Sequence, residues 1–106
     1  MTPTKARELL DRRRASHAAV IAAWREWVDA VEADDKLRLD AYAYTINCAE
    51  SGQDVTSTRE DEINYWRSAR RARNATDVID QRQSTDKWCE ADLRAALADL
   101  WVGLEK

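Results

Sequence analysis

The residues best suited to chemistry in this 106-residue chain lie in one stretch, Ile63-Asn64-Tyr65-Trp66-Arg67-Ser68-Ala69-Arg70-Arg71-Ala72-Arg73-Asn74. If it is a helix with Tyr65, Ala69, Ala72 and Ile79 turned inward, then Ile63, Trp66, Arg67, Arg70, Arg73 and Asn74 face outward. An indole buries a large area and a guanidinium makes forked, charged hydrogen bonds, so both are enriched where proteins bind one another. The same groups suit a nucleic acid, with Arg neutralising phosphates and Trp stacking on a base. Trp66, Arg67, Arg70, Arg71 and Arg73 are therefore the candidate partner-binding residues. Tyr44 and Trp88, each off the main apolar stripe of its helix, are secondary candidates. The plainer alternative is that Ile63 and Trp66 face a further helix while the arginines pair with acidic residues of segment 28–62.

Catalytic and metal-binding spacings are missing. The cysteines, Cys48 and Cys89, and the one histidine, His17, form no Cys-x-x-Cys or His-x-x-x-His spacing, so no zinc set is expected. Both cysteines are expected as reduced thiols. His17 lies in the apolar stripe of the first helix, the place of a core or interface histidine, and no Ser or Cys stands with a His and an acid as a nucleophile would require. Glu-x-x-His pairs for a di-iron bundle and glycine-rich phosphate loops are absent too. The expectation is a non-enzymatic protein with no metal and no cofactor.

Charge is unevenly placed. Residues 1–27 hold six basic groups against three acidic, 28–62 three against ten, 63–83 five against two, and 84–106 three against five. The total of −3 argues against binding nucleic acid through bulk charge, though not through a local patch. The acidic block Asp29, Glu32, Asp34, Asp35 and Asp40 could imitate a phosphate backbone, but a solvated helix face near a helix junction is the much commoner arrangement.

The elements that must position these groups are helices. The chain holds two Gly, Gly52 and Gly103, and one Pro, Pro3, none in a helix interior. Thr2 before Pro3 signals a helix start. Ala6, Leu9, Leu10, Val20, Ile21, Trp24, Trp27, Val28 and Val31 then form one stripe, interrupted by Arg13 and His17. The stripe breaks near Ala33-Asp34-Asp35, where an Asp could cap a second helix over 36–50, or the helix could equally run straight through. That helix has two apolar faces, Leu39/Tyr42/Ile46/Ala49 and Leu37/Ala41/Tyr44/Cys48, one of which could pair with a second copy. Gly52 ends it. Ser57 with Glu60 has capping-box spacing for a third helix over 58–83. Ser84-Thr85-Asp86 reads as the cap of a fourth over 86–102, with Cys89, Leu93, Ala96, Leu97, Leu100 and Leu104 on one face.

These readings imply one all-α domain over 1–106, an antiparallel bundle of three or four helices with coiled-coil-like spacing in the first. Trp101-Val102-Gly103 carries the letters of the Trp-x-Gly turn found in small secreted actinobacterial helical hairpins. Here the letters stand near the C-terminal end, and the mid-chain turn Ser51-Gly52 has no Trp, so the placement departs from that pattern. No apolar run is long enough to span a bilayer, the N-terminal residues lack a signal-peptide core, and the chain reads as cytoplasmic. Arg outnumbers Lys 13 to 4, with five Trp and no Phe, a bias typical of a high-GC bacterial or phage genome. The expected function is a small protein-interaction module, a phage-encoded or bacterial regulator that binds and modulates a host protein. The rivals are an Arg-rich helix binding DNA or RNA, and a structural homo-oligomeric subunit.

Overall fold

The computed structural model describes residues 1–105, which form two long helices packed against each other: α1 (Pro3–Ser51) and α2 (Arg59–Glu105). The start of α1 is built as the sequence implies. Thr2 Oγ1 accepts the Lys5 N–H at 3.1 Å, and Pro3 occupies the first helical position, where no N–H is needed. The end of α1 is set by Gly52 at φ +70°, a left-handed conformation open to glycine. The Gln53 N–H returns to the Cys48 carbonyl at 2.9 Å, the long bond of a Schellman closure.

The capping box of α2 lies one residue later than Ser57 and Glu60. The Asp61 N–H donates to Thr58 Oγ1 and the Thr58 N–H to Asp61 Oδ2, both at 3.1 Å. Glu60, Asp61 and Glu62 fill the first turn, where the helix dipole favours negative charge.

The three or four helices expected from the sequence are two, because neither proposed junction breaks the chain. Segments 3–33 and 36–50 are one helix. Asp34 does not cap; it is a buried interior residue, 8% exposed, whose Oδ2 meets Arg38 one turn on at 3.0 Å. Segments 58–83 and 86–102 are likewise one helix. Thr85 Oγ1 returns to the Gln81 carbonyl at 3.2 Å, which satisfies the hydroxyl inside the helix, and Asp86 turns to α1. With no Gly or Pro at either place, nothing stops the backbone ladder.

The fold divides into two compact units. In the first, Met1–Trp24 packs with α2 from Asp77 onward. Ala6, Leu9, Val20 and Ala23 are buried on α1, and Ile79, Cys89, Leu93 and Ala96 on α2. Arg13 and Ser16 on α1 and Asp86 and Leu100 on α2 are half-buried between them. Steps alternate between three and four residues, the spacing that keeps a seam facing an antiparallel neighbour. Leu9 clusters with Leu93 and Ala96, with Leu10 packed against them. The second unit, Arg25–Thr76, contains the turn. It buries Ala30, Asp34 and Cys48 from α1 and Ala75 from α2, with Trp27, Ser68 and Ala72 half-buried. Its helices also run antiparallel: Glu26 meets Arg71, and further along α1 Leu37 and Ala41 face Tyr65 and Asp61 across one groove.

Both seams are made mainly of small residues. Among the described residues no large side chain is fully buried, while Trp66, Trp88, Trp101 and Leu104 are each about two-thirds exposed or more.

Candidate functional site

Trp66, Arg67, Arg70, Arg71 and Arg73 all belong to α2 within the second unit, and all five are exposed. The inward set holds in part: Ala69 and Ala72 are half-buried and Ile79 is buried, but Tyr65 stays 43% exposed. Trp66 is 68% exposed, with its ring edge-on to Tyr65 at 5.6 Å and 78°. That contact sets the indole's orientation while leaving most of its area in solvent.

The arginines divide. Arg71 spans to α1, where its Nε and a terminal nitrogen donate to one oxygen of Glu26 at 3.0 and 2.9 Å. Arg67, Arg70 and Arg73 form no ion pair among the described residues. The structure thus brings together one indole and three unpaired guanidiniums on a single helical segment and ties the fourth to the partner helix.

The secondary candidates go elsewhere. The Tyr44 hydroxyl is 3.0 Å from Thr56 Oγ1 and accepts the Thr56 N–H at 3.4 Å, so it fastens the turn to α1. Trp88 belongs to the first unit and is 73% exposed. Beside the turn, Leu37, Ala41, Tyr44, Val55, Asp61 and Tyr65 line a groove of about 490 Å³. The Leu37/Ala41/Tyr44/Cys48 face read from the sequence points to this groove and to the seam beyond it. The carboxyl of Asp61 is held below the ordinary aspartate value, first by the Thr58 backbone N–H and then by the Thr58 hydroxyl.

Two polar features of the seams need more than local sequence to find. In the first unit, Arg13 Nε donates to Glu90 Oε2 at 2.8 Å, and its terminal nitrogen meets Asp86 Oδ1 at 3.0 Å. Ser16 Oγ donates to the same Asp86 oxygen at 2.5 Å. Glu90 also accepts from Arg94 at 3.0 Å, and these bonds, that from Arg13 first, hold its carboxyl below the ordinary glutamate value. The signal in the sequence was Arg13 standing inside an apolar stripe. His17, the other interruption, is exposed and belongs to no core. In the second unit, Asp34 Oδ1 is buried without a hydrogen-bond partner among the described residues.

Cys48 and Cys89 are free and buried, one in each unit. Among the described residues no group of three or more His, Cys, Asp or Glu is placed to hold a metal ion, and no helix is long and apolar enough to cross a membrane. No protein-family model, no curated protein and no solved structure matches the chain.

Proposed function

We propose that this chain is a small, non-enzymatic protein-interaction module whose partner-binding surface is the exposed Trp66–Arg73 segment of α2. The observation that carries the reading is Trp66, 68% in solvent beside the exposed, unpaired Arg67, Arg70 and Arg73. An exposed indole among guanidiniums gains most from being covered, because it buries a large apolar area and the neighbours supply directed charged hydrogen bonds. Arg71 joins the surface readily, since an exposed pair such as Arg71–Glu26 is worth less than about 1 kcal/mol and can be exchanged for a partner's carboxylate. A regulator that binds a host protein inside a bacterial cytoplasm fits this chemistry.

The three unpaired guanidiniums also favour a second reading, an Arg-rich helix that binds a nucleic acid. Capture on the tagged chain from a high-GC bacterial lysate, with and without nuclease and at two salt concentrations, separates the two. A defined protein retained through nuclease and lost with Trp66→Ala supports the interaction module. Recovery of mainly nucleic acid, falling steeply with salt as counterions are released, overturns it in favour of the second reading.

A further inference from the structure

We infer that the second unit pairs with a second copy of this chain, α1 of one copy lying antiparallel along α2 of the other. The inference rests on the reading of Trp66 as a contact residue and gives that indole a second copy as its cover; Arg67 and Arg70 lie off this flank and stay open to a foreign protein.

Surface area is the first argument. The chain exposes 8536 Å² at a mass of 12.2 kDa. A compact monomer of that mass exposes about 6,100 Å². The excess, about 2,400 Å² over the whole chain, leaves room for the roughly 1,000–2,500 Å² that each copy gives up in an obligate homodimer.

The second argument is which residues would meet. The seam of the second unit runs through Ala30 and Asp34 on α1 and through Ser68, Ala72 and Ala75 on α2. Helical spacing then places Val31, Asp35, Arg38 and Tyr42 on one flank of α1, with Arg59, Glu62, Trp66 and Ala69 on the same flank of α2. All but the half-buried Ala69 are exposed. A two-fold axis parallel to the helices sets each flank of one copy against the other flank of its partner, at the height the hairpin already fixes. Within the unit that height is anchored by Glu26 beside Arg71, and by Leu37 and Ala41 facing Tyr65 and Asp61 across one groove. Interpolating between these anchors puts Asp35 level with Trp66, Arg38 with Glu62 and Tyr42 with Arg59, each within about two residues, or ~3 Å of rise.

Those three pairs are chemically matched. The Asp35 carboxylate meets the Trp66 indole N–H, which needs an acceptor once covered. Arg38 meets Glu62 as an ion pair. The Tyr42 ring meets the Arg59 guanidinium as a cation–π pair. Val31 against Ala69 supplies apolar contact beside them. Each pair occurs twice by symmetry, so the interface is self-complementary. Four helices then lie side by side, two from each chain.

The test is the solution mass of the full-length protein by sedimentation and light scattering, with charge-reversed variants. The wild-type chain is expected at twice 12.2 kDa. Arg38→Glu alone and Glu62→Lys alone should each weaken the dimer at least about tenfold, because each places like charges opposite one another twice. Mixing the two variants restores both opposite-charge pairs and should regenerate a dimer containing one copy of each. Two misfolded variants would not rescue each other, so the mixing step separates loss of the interface from loss of the fold. A monomeric wild-type chain, or variants that show no complementation, overturns the self-pairing. In that case lysate capture through Trp66 can still succeed, so failure of this inference and failure of the interaction reading are distinguishable.

Discussion

Arg13 binds two carboxylates and lies three-quarters out of solvent, so its loss removes the cation they share and leaves Asp86 only Ser16 and Glu90 only Arg94. Arg13→Ala is expected to cost about 1–3 kcal/mol, read as a lower urea midpoint at neutral pH. The pH dependence follows from the direction in which Glu90 is shifted. Its carboxyl is held below the ordinary value in the fold, chiefly by Arg13. That contribution is fully present above the ordinary glutamate pKa and is lost as pH falls through the lowered one. The acid limb of the urea-midpoint profile should therefore flatten in Arg13→Ala. A limb unchanged by the substitution would show that Arg13 does not hold Glu90 in solution.

Asp34 predicts the opposite sign. Its side chain is 12% exposed and one oxygen is without a partner among the described residues, so desolvation is incompletely offset. Asp34→Leu should raise stability by about 1 kcal/mol, because an apolar side chain of similar size suits an otherwise apolar seam. A lower thermal midpoint would mean that the ion pair with Arg38 outweighs the desolvation of this carboxylate.

At the level of the element, two short motifs carry the hairpin. Gly52→Ala adds a Cβ that meets nothing within 4 Å, so the whole cost is backbone strain at φ +70°, about 1 kcal/mol. Thr58→Ala removes one half of the reciprocal cap with Asp61 and should cost about the same. Thermal melts of the two variants check both. The start and end of α1 were legible because their chemistry is local, Thr2 before Pro3 and Gly52 after Ser51; the cap of α2 was read one residue early, because Ser57 with Glu60 has the same spacing as Thr58 with Asp61. The continuity of the helices was undecided at Asp34 and missed at Thr85, for an equally physical reason. Asp34 and Thr85 are residues that cap a helix when the backbone needs them and sit inside one when Arg38 or the Gln81 carbonyl takes up their polar atoms. Periodicity likewise placed Trp66, Arg67, Arg70 and Arg73 outward, as the structure has them. The Arg71–Glu26 and Arg13–Glu90 bonds join residues 45 and 77 positions apart, a separation that no local pattern encodes.

For the whole molecule, seams built of Ala, Cys and a few Leu and Ile bury little per residue, while the larger apolar groups remain outside. Stability should then depend on association. The thermal midpoint is expected to rise with protein concentration, since dilution shifts a dimer toward its less stable monomer by mass action. A midpoint independent of concentration over about a hundredfold range would show a self-sufficient monomer.

The two thiols have a kinetic consequence. Cys48 is 3% exposed in the second unit and Cys89 is 8% exposed in the first, so neither reacts with a bulky disulfide reagent until its seam parts. Each sulfur is thus a clock for the transient opening of its own unit. Cys48→Ala and Cys89→Ala, each leaving one thiol, turn labelling rates into separate opening free energies for the two halves of the same pair of helices.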